Sequence, residues 1–195
     1  MCIRDRKDAY QMLGRTHRGI KAAFPLSEGV ISDFDLTAQM ITEFLKKVCG
    51  NRIVKPRVVV CMPSSVTEVE RRALEDAIVS AGARKVCPIE EPVAAAIGAG
   101  IDIAAPHGCM VVDIGGGTTD VAVISLNGIS VTESIKTAGN DFDEAIIRYL
   151  RRRYSILIGG RMAEKLKMSV GCVWPPEEKR TDTAKGRNLL TGLPQ

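Results

Sequence analysis

Aromatic residues make up only 4% of the 195-residue chain, so any core it builds is packed from aliphatic side chains. Histidine is scarcer still, with only His17 and His107. The six cysteines, Cys2, Cys49, Cys61, Cys87, Cys109 and Cys172, include no C-x-x-C pair. No zinc-ligand spacing therefore arises, and reduced thiols in a cytosolic protein are expected over a disulfide framework. Cys61 and Cys109 lie in apolar runs, where a thiol behaves as a small hydrophobe. A spanning helix needs ~20 consecutive apolar residues. The least polar stretch, 92–112, is broken by Asp102, Pro106 and His107. No signal-peptide pattern is found. A net charge of +4 is too modest for the basic stripe of a nucleic-acid binder. What remains, 45% hydrophobic and 26% charged residues, is ordinary for a globular protein. The length suits one sizeable core or parts of two domains.

Neither end reads like the edge of a domain. Residues 1–6, MCIRDR, start no hydrophobic period and resemble translated adapter DNA. Residues 1–8 are expected to be extraneous or disordered. The other end stops at Leu193-Pro194-Gln195 after a polar stretch, with no closing helix or strand expected. The expectation is a chain cut at both ends.

Between them the pattern is α/β. Met40, Ile41, Phe44, Leu45 and Val48 recur at helical spacing over 37–48, and Gly50 can end that helix. Val58 to Cys61 is a continuous apolar run, the mark of a strand buried on both faces. Thr67 and Glu70 form a capping-box pattern ahead of a helix that Gly82 stops. Residues 85–89 are a second buried strand, so strand, helix and strand make a parallel β-α-β unit. A short Ala-rich helix follows over 92–98. Strands are expected over 110–114, 120–125 and 129–135, with a hairpin turn at Asn127-Gly128. Helices are expected over 141–154, with Phe142, Ala145, Ile146, Tyr149 and Leu150 inward, and over 161–170. Residues 175–187 are polar and loop-like. The change from parallel crossovers to a hairpin suggests a domain boundary at 105–108, dividing 9–107 from 108–195.

Four stretches carry chemistry. In Asp113-Ile114-Gly115-Gly116-Gly117-Thr118-Thr119-Asp120 a buried strand delivers a carboxylate and then three glycines. Successive glycines let backbone N–H groups close on an anion, and two threonine hydroxyls add donors. A carboxylate at a strand end can hold Mg²⁺ through water. This is not a Walker A loop, because no G-K-[ST] follows. Glu90-Glu91-Pro92 ends a strand and opens a helix, where a carboxylate is favoured by the helix dipole. One connection before the phosphate loop, that carboxylate could instead orient a water for attack on a terminal phosphate. Gly139-Asn140-Asp141 reads equally as a helix N-cap or as a close approach of backbone to a nucleotide. Glu164 and Lys167 share a helix face, either as a solvated ion pair or as a grip on a ribose and adenine edge.

In this order and spacing the four stretches resemble the superfamily of actin, chaperone ATPases and sugar kinases. Within it the chain is similar to the rod-shape MreB family and its Mbl-type paralogues, from about residue 9 to the end. Strings unrelated to phosphate carry the likeness too: Met12-Leu13-Gly14-Arg15-Thr16, Gly29-Val30-Ile31-Ser32-Asp33-Phe34-Asp35, Thr67 to Arg72, Ile89 to Pro92 and Thr191 to Pro194. The resemblance implies an actin-like (ribonuclease-H-like) ATPase fold, incomplete here, with ATP and Mg²⁺ in a central cleft. It implies that Gly115, Gly116, Gly117, Thr118 and Thr119 form the second phosphate loop and that Asp113 holds the metal. Glu91 positions the attacking water and Thr118 assists. Gly139, Glu164 and Lys167 contact the nucleotide. Ile53 and Val54 match a hydrophobic loop that sits on the inner membrane, among Lys46, Lys47, Arg52, Lys55 and Arg57. The function implied is that of a slow ATPase forming membrane-associated filaments for rod morphogenesis. It lies in the cytoplasm, at the inner face of the plasma membrane, with cell-wall morphogenesis proteins as partners. The chain departs from the family in lacking an Asp-x-Gly-Thr first phosphate loop and the Gly-rich adenosine loop of the last third. It is therefore expected to be inactive alone. Asn140 and Ser169 stand where the family is usually acidic, which leans toward a paralogue. Arg148, Arg151, Arg152 and Arg153 read as a solvated helix face. The alternatives are a small-molecule kinase or chaperone ATPase on the same fold, or a non-functional fragment.

Overall fold

The computed structural model describes residues 12, 16–17, 20, 23–27, 30–50, 54–174 and 178–195. The leading segment 1–8, most of the string 12–16, Gly29 and Ile53 lie outside the described residues. Two compact units form: Met1–Asp113 with Thr118–Ile135, and Ile114–Gly117 with Lys136–Gln195.

The first unit opens with β1 (Leu26–Ser27) and β2 (Val30–Ile31), paired antiparallel. Helix α1 (Phe34–Cys49) starts three residues before the apolar period does. Its start is set by Asp33, whose side chain accepts the Leu36 N–H at 3.0 Å. Gly50, at φ 61°, ends it. Strands β3 (Arg57–Met62) and β4 (Lys85–Glu90) pair in parallel from Arg57↔Lys85 to Met62↔Glu90. Between them runs α2 (Glu68–Ser80), opened by the expected capping box: Glu70 Oε2 accepts the Thr67 N–H at 2.8 Å, and Thr67 Oγ1 accepts the Glu70 N–H at 3.3 Å. Cys61 does not behave as a core residue; it lies on the exposed side of β3, with Arg57 and Val59. Helix α3 (Glu91–Gly98) follows β4 directly and has Pro92 in its first turn.

Strands β5 (Cys109–Ile114), β6 (Thr119–Ser125) and β7 (Gly128–Ile135) form a sheet in that order. Val111, Ala122 and Ile124 bury one face of it against Ala96 of α3. That packing places the sheet in the first unit, so the expected boundary at 107/108 does not coincide with the division between units. The β6–β7 turn also differs from the Asn127-Gly128 expectation. Ser125 pairs with Gly128, and the two turn residues are Leu126 (φ 51°) and Asn127 (φ 62°). Their N–H groups donate to Ala105 O (3.2 Å) and Ile103 O (2.8 Å), so a neighbouring loop holds a leucine in left-handed backbone.

The second unit holds α4 (Gly139–Tyr154), β8 (Ile156–Leu157), α5 (Gly160–Val170) and β9 (Arg187–Asn188). Its core is Ile158, Ala163 and Leu166, packed by Ile146, Ile147 and Leu150 of α4. The inward face of α4 is therefore narrower than expected. Phe142, Ala145 and Tyr149 lie outside it and are exposed, because the aliphatic pair Ile146-Ile147 fills the space beside α5. The last residues also pair, contrary to expectation. β9 joins β8 antiparallel, and Gly186 and Gln195 exchange backbone bonds of 2.9 Å.

Candidate functional site

In the first unit, the carboxyl ends of β3, β4 and β5 gather acidic groups. Glu91 is the first residue of α3, delivered by β4, and is half-buried. Its carboxyl is pushed above the ordinary range by burial first, then by the negative charges of Asp120 and Asp113. Cys61, near the end of β3, is raised by burial and then by Glu91 and Asp113. Asp113 and Glu91 thus lie within electrostatic reach of one another. Asp120 joins them, although the sequence reading gave it no role. It is 1% exposed, and its Oδ1 accepts the Ser64 N–H at 3.1 Å, tying the turn after β3 to β6. Its only signal in the sequence was a carboxylate among apolar strand residues. Thr118 and Thr119 are each 8% exposed.

The negative charges of Asp120 and Asp113 both push the Glu91 carboxyl upward, a setting that favours a cation. Among the described residues, no three carboxylate, thiol or imidazole groups close directly around a metal ion. Mg²⁺, which keeps several of its waters, suits such an open set.

In the second unit, Gly115–Gly117 is fastened by its carbonyls. Gly139 N donates to Gly115 O at 3.1 Å and Asn140 N donates to Gly116 O at 2.8 Å. The first amides of α4 are therefore used on the loop. No acceptor among the described residues takes the N–H groups of Gly116 and Gly117. A strip with its carbonyls tied back and its amides unpaired can receive an anion. These glycines do not supply left-handed backbone, since none has positive φ. A Cβ on Gly116 would meet the Asn140 side chain at 3.6 Å, an ordinary contact. Gly139 is tighter, because a Cβ there would lie 3.2 Å from both Gly115 O and Lys167 Nζ.

Lys167 has a specific post. Its ammonium donates to Gly139 O at 2.9 Å and pairs with Asp143 at 3.0 Å. It bridges α5 to the opening of α4 behind the loop. Asp143, with a side chain 15% exposed, was given no role by the sequence. The partnership joins residues 24 positions apart on different helices, which no local spacing could signal. Glu164, one turn earlier on α5, is half-buried. Of the expected membrane loop, Ile53 lies outside the described residues, and Val54 is 68% exposed beside exposed Lys55 and Arg57. No described helix is long and apolar enough to cross a membrane.

Comparison with known proteins places this geometry in context. The profile of the MreB/Mbl protein family matches residues 5–195. The chain is 51% identical to the cell shape-determining protein MreB of Escherichia coli K12 over 190 residues, covering 96% of this chain and 55% of that protein. It is 44% identical to the cell shape-determining protein Mbl of Bacillus subtilis, covering 97% of this chain and 57% of that protein. The crystal structure of MreB5 of Spiroplasma citri bound to ADP superposes with a TM-score of 0.90 at 40% identity, over 97% of this chain and 57% of that one. The MamK double helical filament shares the fold, at a TM-score of 0.75 and 22% identity over 96% of this chain and 56% of that one. The chain spans about half the length of the curated relatives it matches. With the actin-like fold and a match along nearly its whole length, the chain belongs to the MreB/Mbl family.

Proposed function

We propose that this chain is the part of a filament-forming, cell-shape-determining ATPase that carries one phosphate loop and the acidic cluster for hydrolysis. The observation that supports it best is the loop at 115–117, whose carbonyls are bonded to α4 while the Gly116 and Gly117 amides stay unpaired. The S. citri relatives, bound to ADP and to AMPPNP, support a nucleotide as the anion. In this reading Gly115, Gly116, Gly117 and Thr119 cradle phosphate. Asp113 holds Mg²⁺ through water. Mg²⁺ would supply charge neutralisation between phosphates. Glu91 orients the attacking water, and Thr118 assists. Gly139 keeps the loop close, and Glu164 and Lys167 face the nucleoside. Since Lys167 is already bonded to Gly139 O and Asp143, its contribution is to hold that end of the site in shape. Self-association into filaments, contact of Ile53 and Val54 with the inner membrane, and cell-wall morphogenesis partners complete the reading. Two apolar residues bind a membrane weakly, so attachment depends on many copies along a filament.

The test uses a protein that carries this sequence within the full length of its relatives. ATP-dependent sedimentation is expected. Glu91→Ala should keep ATP binding and lose hydrolysis by roughly a hundredfold or more. Normal hydrolysis by that variant would remove Glu91 from its role. Turnover that depends on an added sugar acceptor would replace the reading with a kinase.

A further inference from the structure

The inward stripe of α4 is accounted for by Ile146, Ile147 and Leu150 in the core of the second unit. The opposite stripe is not. Ala145, Arg148, Tyr149, Arg152 and Arg153 fall at i, i+3, i+4, i+7 and i+8, one face of a helix. Together they line an open groove of about 440 Å³. Tyr149 and Tyr154 stand edge to face across 6.0 Å at 75°, and a hydrogen bond between their side chains raises the Tyr149 hydroxyl. Both rings are more than half exposed. Among the described residues, the only carboxylate paired with these arginines is Glu144, 3.9 Å from Arg148 and itself 70% exposed. Arg151, Arg152 and Arg153 have no carboxylate partner among the described residues.

Helix chemistry explains part of this. Cations in a last turn suit the negative end of the helix dipole. That accounts for one or two of Arg151–Arg153. It does not account for Arg148, two turns from the end, or for two tyrosines held exposed beside it. Arginine and tyrosine on one rigid face are the residue types that dominate interface energies. The guanidinium fork matches a carboxylate in two parallel hydrogen bonds, and tyrosine gives contact area at low entropic cost.

We propose that this face of α4 is a docking site for an acidic protein segment. Its carboxylates engage Arg148 and Arg152, and an apolar residue rests on Tyr149 above the small Ala145. Charge complementarity selects the occupant: an exposed row of arginines, of which only Arg148 has a carboxylate neighbour among the described residues, calls for several carboxylates in sequence. A lipid surface fits less well. The face offers no aliphatic side chain larger than Ala145 to insert among acyl chains. The assignment replaces the expectation of a merely solvated face, and it is independent of the nucleotide reading.

The test immobilises the chain at low density and measures binding of two synthetic peptides, one of repeating Glu-Glu-Leu and one with every Glu replaced by Gln. The Glu peptide should bind at least about tenfold more tightly, and more weakly as salt rises. Arg148→Glu with Arg152→Glu should lower its affinity at least about tenfold, with an unchanged far-ultraviolet spectrum. Tyr149→Ala should lower it with little change in salt dependence. A milder Arg152→Gln variant serves if the double reversal unfolds. Equal binding of the two peptides, or a Glu-peptide affinity untouched by these changes, overturns the proposal. So does arginine-dependent binding to phosphatidylglycerol vesicles without peptide binding, which would assign the face to a membrane.

Discussion

Gly139 is closely confined at the opening of α4. Alanine there would bring a Cβ to 3.2 Å from the Gly115 carbonyl and from the Lys167 ammonium. Both are held in place, one by the Gly139 N–H and the other by Asp143. Neither can yield without loosening the loop. Gly139→Ala should therefore destabilise the protein by about 1–3 kcal/mol, the usual cost of overpacking, measured by urea unfolding. Glu91 makes the opposite case. Its carboxyl is raised by burial and by Asp120 and Asp113, so the folded state binds its proton more tightly than the unfolded chain does. Its contribution is most favourable below the ordinary carboxylate range and is lost as pH rises through the raised value. At neutral pH the charged form opposes folding. Glu91→Gln should then melt higher than the parent at pH 7, with the gap closing toward about pH 4. A gap that widened on acidification would mean that Glu91 is paired with a cation rather than crowded by acids.

At the scale of elements, what was legible was what is local. The Thr67–Glu70 capping box lies within four residues, and both of its bonds form. Thr67→Ala should cost about 1 kcal/mol, read from the same unfolding curves. The parallel β3–β4 pair was legible from its apolar runs, although burial on both faces was not borne out, since Val59 and Cys61 lie on an exposed side of β3. The β6–β7 turn was not. Asn-Gly is the commoner two-residue turn, yet Leu126-Asn127 occupies it because backbone acceptors at Ala105 and Ile103 are waiting there. Leucine pays for that left-handed backbone, so Leu126→Gly should raise stability by roughly 0.5–1 kcal/mol despite glycine's entropic cost. The inward face of α4 was misjudged for a related reason. Periodicity marks which residues share a face, but it cannot say whether Tyr149 or Ile147 fills the space beside α5. In the candidate site the acidic strand end and the glycine loop were readable as a run. Asp120 with Ser64 and Lys167 with Asp143 were not, since those partners meet only through the tertiary fold.

At the scale of the whole molecule, the sheet β5–β6–β7 sets the behaviour in solution. One face is covered, by α3 through Ala96. The other carries Met110 and Val112 of β5, 67% and 53% exposed, and Val131 of β7, 65% exposed. Val131 lies opposite Val123, which alternates with the buried Ala122 and Ile124 just as Met110 and Val112 alternate with the buried Val111, so these residues share one side of the sheet. An apolar sheet face on that scale is an association surface, because burying it against another copy removes apolar area from water in proportion. The 195-residue chain is therefore expected to self-associate through this face with or without nucleotide. That separates it from ATP-dependent filament assembly. Sedimentation velocity across a concentration series distinguishes the two. Val112→Lys should shift the nucleotide-independent species toward monomer, because a lysine on that face puts a charge where two sheets would meet. If Val112→Lys leaves the distribution unchanged while removal of ATP dissolves it, the association belongs to the nucleotide-linked assembly and the exposed sheet face plays no part.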